Sequence, residues 1–127
     1  MNRKTITTPL APSAIGTYSQ AVLAGDTLYV SGQIPLDPKT GTLVEGSFED
    51  RAERVFQNLK AIAEAADMTL GHAVKVTVFL TDLGNFQQLN SVMERHFPAP
   101  WPARAAVQVA ALPRGTDVEV DAILVRT

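Results

Sequence analysis

The sequence predicts an α+β fold, one mostly antiparallel sheet with two helices packed on one of its faces. Two apolar stretches repeat at helical spacing, several shorter runs alternate as half-buried strands do, and their order is strands, helix, strand, helix, two strands. At 127 residues the chain is long enough for one real core and too short for two independent ones, so residues 1–127 are read as a single domain.

The first element is a short strand in "KTITT", followed by a hairpin in "YSQAVLAGDTLYVSG" that turns at Gly25-Asp26. In "QIPLDPKTGTLVEG" the residues Pro35, Asp37, Pro38, Gly41 and Gly46 stand too close together for regular structure, which predicts a loop of the kind that walls a site. Ser47 and Asp50 then carry the capping-box spacing, and Ala52, Val55, Phe56, Leu59, Ile62, Ala63 and Ala66 recur on one helical face. The neighbouring Glu49, Asp50, Arg51, Glu53 and Arg54 read as the solvated start of that helix.

"HAVKVTVFLTD" is a strand with Val74, Val76, Val78 and Leu80 on one side and Lys75, Thr77 and Phe79 on the other. A second helix carries Phe86, Leu89, Val92, Met93 and Phe97 and stops near Phe97, because the prolines of "PAPWP" cannot continue it. Two last strands follow, joined by "LPRGTD". The helix-strand-helix-strand centre admits a parallel crossover, which would make the sheet mixed. The face without helices, bearing Phe79 and many small residues, is poorly suited to water and is expected to pack on another subunit.

Composition narrows the chemistry. A formal net charge of -2 with no single-sign block argues against binding a phosphate backbone, and the lack of cysteine removes thiolate chemistry, disulfides and cysteine-ligated zinc. The two histidines, His72 and His96, fall in different elements with no metal-ligand spacing, so no metal is expected. No phosphate-binding glycine loop or nucleophile elbow occurs, and no cofactor is implied. No run of eighteen apolar residues suggests a membrane span, the N-terminus lacks a signal-peptide stretch, and the cytoplasm is the compatible compartment.

Arg104 and Glu119 remain, each set among apolar residues of the last two strands. Either could be an ordinary exposed strand residue. Together they suit a small organic acid, since a guanidinium holds a carboxylate through two parallel hydrogen bonds and a half-dry carboxylate positions water or relays protons.

"PARAAVQVAALPRGTDVEV", residues 102–120, closely resembles the signature of the RidA/YjgF family of enamine/imine deaminases, and "IGTYSQAV", "VSGQIPLDPKTG", "VKVTVFLTDL" and "FQQLN" resemble its other blocks in the same order. The resemblance covers essentially the whole chain. It implies the chorismate-mutase-like sandwich and a homotrimer with clefts between subunits. It implies further that Arg104 holds the substrate carboxylate, that Glu119 handles the catalytic water, and that Tyr18, Ser31, Gly32 and Asn90 line the site. Two positions depart from the family pattern: Thr17 stands where proline is usual, and Ala106 stands at a pocket position where many members have cysteine.

The implied activity is hydrolysis of 2-imino acids, or their enamine tautomers, to 2-oxo acids and ammonia, which protects pyridoxal-phosphate enzymes from these intermediates. The alternatives are a small-carboxylate binding protein without turnover and an RNA-acting translation inhibitor, the latter opposed by the acidic balance. If "LPRG" turns a hairpin, Glu119 lies opposite roughly Leu112 and Arg104 at the far end, ~23 Å away. Both would then serve one small ligand only if they came from different copies of the chain.

Overall fold

Six strands form one sheet in the computed structural model, which describes residues 2–126. In chain order the strands are β1 (Arg3–Ile6), β2 (Ala21–Ala24), β3 (Thr27–Gln33), β4 (Ala73–Leu80), β5 (Ala103–Gln108) and β6 (Val118–Val125). The helices are α1 (Phe48–Ala65) and α2 (Phe86–His96), with single 3₁₀ turns at Leu70–His72, Leu83–Asn85 and Pro113–Gly115. Across the sheet the order is β1-β2-β3-β6-β4-β5.

Local signals place most of these elements. Gly25, at φ 61°, turns the β2–β3 hairpin in a conformation that costs a glycine little. Ser47 caps α1 through its side chain while Asp50 returns a bond to the cap N–H at 3.1 Å, so the capping box closes in both directions. The apolar stripe of α1 then buries Val55, Phe56, Leu59 and Ile62 completely or nearly so. Each such side chain contributes about 1.5–3 kcal/mol through lost contact with water. On β6 the alternate residues Val118, Val120, Ala122 and Leu124 complete this core, which suits a strand with neighbours on both sides.

The sheet is mixed, as the helix-strand-helix-strand centre allows: β4 and β5 run parallel, joined through α2, and every other pair is antiparallel. The expected hairpin between the last two strands does not form. β6 pairs with β3 and β4, and β5 lies beyond β4 at the sheet edge. The connection from β5 must therefore pass over the end of β4, where Val109 N–H donates to the Leu80 carbonyl at 2.8 Å and Thr81 N–H to that of Asp117 at 3.3 Å.

Two further expectations are corrected. Val74 is 48 % exposed rather than part of the core, because the pairing of Ala73 with Leu124 and Lys75 with Ile123 leaves it as the extra residue of a bulge. The charged start of α1 is not merely solvated. Arg51 grips Asp117 with both arms of its fork, at 2.9 and 2.7 Å, and also reaches the Gly46 carbonyl, while Glu53 accepts from His96 Nε2 at 2.8 Å. The guanidinium thereby ties the β5–β6 connection to α1 and to the loop before it.

Both helices cover the face that presents Val76, Val78 and Leu80. The other face carries Tyr29, Thr77, Phe79, Val107, Glu119, Asp121 and Ile123 and has no helix over it among the described residues. Tyr29 and Val107 on this face are 51 % and 40 % exposed, an apolar surface that water serves poorly.

Candidate active site

Glu119 stands on the open face, opposite Phe79 in the register of β4 and β6. Its position depends on a second bulge: between the pairs Val30–Ala122 and Gln33–Val120, β3 fits Ser31 and Gly32 against the single residue Asp121. The missing side chain of Gly32 makes room for the glutamate, since a methyl group there would collide with Oε2 of Glu119. Burial raises the Glu119 pKa, and the charge of Asp121 two residues along the same face adds to the rise. The carboxyl is thus tuned toward holding a proton at higher pH than an exposed glutamate.

A cavity of about 510 Å³ opens beside this carboxylate and is lined by Tyr18, Ser31, Gly32, Ile34 and Leu36 among others. The arm carrying Tyr18 is held at its base. Ser31 donates its hydroxyl to the Ser19 carbonyl, and the buried Gln20 amide donates to the carbonyls of Thr8, Ala11 and Pro12 while accepting from Thr8 N–H. Tyr18 itself is 55 % exposed, with its hydroxyl accepting from Ile15 N–H at 3.4 Å.

Arg104 lies elsewhere. It pairs with Val76 on β4, which puts it on the helix-covered face at the sheet edge, where α2 meets it. Its Nη1 donates to Asn90 Oδ1 at 2.7 Å and contacts Met93 Sδ at 3.6 Å, and the guanidinium carbon sits 4.9 Å from the centre of the Phe86 ring. Phe86, Asn90 and Met93 follow at helical spacing, so one stripe of α2 sets the guanidinium plane. Nη1 is engaged, while Nε and Nη2 form no hydrogen bond among the described residues; that edge matches a carboxylate. A second cavity, about 370 Å³, lies here between Arg104, Asn90, Met93, Glu94, Trp101 and Pro102.

The sequence-expected residues therefore separate into two groups. Tyr18, Ser31, Gly32 and Glu119 meet at one cavity, and Arg104 and Asn90 at the other. Ala106 shares a face with Arg104 but packs against the core and lines neither cavity. In register, Arg104 and Glu119 are two strands apart, about 10 Å across the sheet, and three residues apart along β4, about 10 Å more, with their side chains on opposite faces. The hairpin geometry expected from sequence is replaced by this one: the two residues stand closer than the ~23 Å expected of a hairpin, but their side chains leave opposite faces of the sheet.

Gln20, Phe86 and Met93 were not legible as site residues. For the last two a signal existed: Asn90 is a polar residue within an otherwise apolar helical stripe, and such a residue asks for a partner.

Two helices on one face of a mixed sheet, with a free guanidinium edge and a half-buried carboxylate on its two sides, define an α+β protein with two separate polar cavities. A family model described as "Endoribonuclease L-PSP" matches residues 8–126, and the chain belongs to this family, the RidA/YjgF proteins. It is 54 % identical to Protein DfrA of Myxococcus xanthus, over 98 % of this chain and 97 % of the relative. It is 48 % identical to the 2-iminobutanoate/2-iminopropanoate deaminase of Rattus norvegicus, over 98 % of this chain and 90 % of that one. The crystal structure of RidA from an Antarctic Psychrobacter superposes with a TM-score of 0.94 at 54 % identity, covering 97 % of this chain and 99 % of the other.

Proposed function

We propose that this protein hydrolyses 2-imino acids and their enamine tautomers to 2-oxo acids and ammonia, at sites completed between copies of the chain. The observation that carries the proposal is the division of the two polar groups between opposite faces of one sheet, each beside its own cavity. A homotrimer, the assembly implied by the resemblance, would bury the apolar open face and bring the Glu119 cavity of one copy against the Arg104 edge of the next.

In this reading Arg104 grips the substrate carboxylate through Nε and Nη2, with Asn90 and Phe86 holding the plane. Glu119 accepts a proton from water as the oxygen attacks the C=N carbon and returns it to nitrogen; as the C–N bond of the tetrahedral adduct breaks, the carboxylate takes the hydroxyl proton, C=O forms, and that proton passes on to solvent or the departing ammonia. One water is consumed and one ammonia leaves. A protonated imine is already electrophilic, so positioning and modest proton transfer suffice. The deaminase named among the relatives supports this substrate class. RNA cleavage, suggested by the family description, is less well served, because the net charge is -2 and no histidine lines either cavity among the described residues.

The test couples the protein to a dehydratase that releases 2-iminobutanoate from threonine, with semicarbazide trapping the free imine. Catalytic amounts of protein should lower the trapped fraction and speed the appearance of 2-oxobutanoate. An unchanged trapped fraction would remove the catalytic reading and leave carboxylate binding without turnover.

A further inference from the structure

Asn58 is fully buried on the core face of α1, one turn from Val55 and Ile62. An apolar residue would suit that position better, since an amide taken from water needs every polar atom paired. The pairing is complete. Oδ1 accepts from Arg54 Nε at 3.0 Å, and Nδ2 donates to the carbonyls of Leu36 at 3.1 Å and Ile34 at 3.3 Å.

These two carbonyls flank Pro35, in the stretch where the chain has left β3 and has no sheet neighbour until Leu36 bridges to Leu43. Proline brings no N–H of its own, and within the segment Leu36 N–H donates to the Ile34 carbonyl at 2.7 Å, so Asn58 adds a second bond there and a bond to the Leu36 carbonyl. Val44 N–H on the Pro35 carbonyl, at 2.9 Å, ties the returning half of the loop to the same point. Ile34 and Leu36 line the Glu119 cavity. Ile15 also lines it, but is 79 % exposed on the outer arm, so Ile34 and Leu36 are the aliphatic groups held from the core side.

We propose that Asn58 is a positioning residue that sets the side-chain selectivity of the site, by fixing Ile34 and Leu36 as the apolar wall against which the substrate's own side chain lies. The inference rests on the deaminase reading for its substrate: Arg104 takes the carboxylate and Glu119 the C=N carbon, which leaves the variable alkyl group to be placed. A wall that cannot move discriminates between alkyl groups differing by a methylene; a wall free to shift accepts them more evenly.

The test compares wild type with Asn58→Leu, which keeps the branched shape of the side chain but removes both N–H donors. kcat/KM is measured for imines derived from alanine, 2-aminobutyrate, valine and leucine, and the ratio between the best and worst of them is taken. In the variant that ratio should move toward one by about threefold or more, and the Val44 amide should exchange with solvent faster. A purely structural role would lower stability and leave the ratio alone. Asn58→Ala carries the same comparison should the leucine variant fail to fold. The corresponding 2-oxo acids, ranked by the thermal stabilisation they give, read the same selectivity without turnover. Absent wild-type turnover with a variant-dependent 2-oxo acid ranking would therefore sink the deaminase reading and keep the wall. Equal rankings and ratios in wild type and variant would overturn the role of Asn58.

Discussion

Replacing Arg104 with alanine should lower kcat/KM for imine hydrolysis by about thirty- to several-thousand-fold while leaving the fold intact. Loss of one partner from a hydrogen-bonded charge pair costs about 2–5 kcal/mol, and each 1.36 kcal/mol is a factor of ten. The side chain is exposed at a sheet edge and holds no core position, so stability has little reason to follow activity. Its packing on Phe86 and its bond to Asn90 serve to aim the free edge. Arg104→Lys should recover little, since an ammonium keeps the charge but cannot make the forked contact. Coupled-assay kinetics decide this, and wild-type turnover in either variant contradicts the clamp.

Glu119→Gln should keep ligand binding and lose about 10²–10⁴-fold in kcat, because the amide preserves shape but accepts no proton from water. Gly32 leaves room for the glutamine as it does for the glutamate. Pyruvate should still raise the melting temperature of the variant. The pH profile of wild type supplies the sign: in the proposed mechanism the carboxylate is the working form, and burial raises its pKa, so the rate should fall on acidification at higher pH than an ordinary glutamate would give. That acid limb should be missing from the residual rate of the glutamine variant. If binding disappeared together with turnover, Glu119 would be a structural residue.

What could be read in advance divides along the range of the interactions. The capping box of Ser47 and Asp50, the stripe of α1 and the proline stop after α2 depend on residues within a turn or two of one another, and all appear as expected. The pairing of the last strands does not. A hairpin between β5 and β6 is the natural guess for neighbours in sequence, but β6 buries alternate residues completely and finds its place at the centre, between β3 and β4. Neither bulge was foreseen, because one extra residue leaves no mark on strand alternation until the partner's register is known. The consequences were opposite: one bulge turned Val74 out of the core, and the other brought Ser31 and Gly32 up to Glu119.

The candidate site was half legible. Arg104 and Glu119 stood out as charges among apolar strand residues, and the family resemblance supplied the rest of the names. The contacts between distant residues, such as Arg104 on Asn90 or Asn58 on the carbonyls around Pro35, needed the fold. The same holds for Arg51, whose partner Asp117 lies far along the chain and whose charge by itself suggested only a solvated helix start.

Co-refolding of two inactive variants tests most directly whether one site is shared between copies. Arg104→Ala and Glu119→Gln chains are each assayed alone, then mixed in equal amounts, unfolded and refolded together, with mixed assemblies verified by mass. By random association in a closed ring, about a quarter of the interfaces should pair an intact Glu119 with an intact Arg104, and activity should return to roughly that fraction of wild type. Verified mixed assemblies that stay as inactive as the separate variants would contradict the shared site.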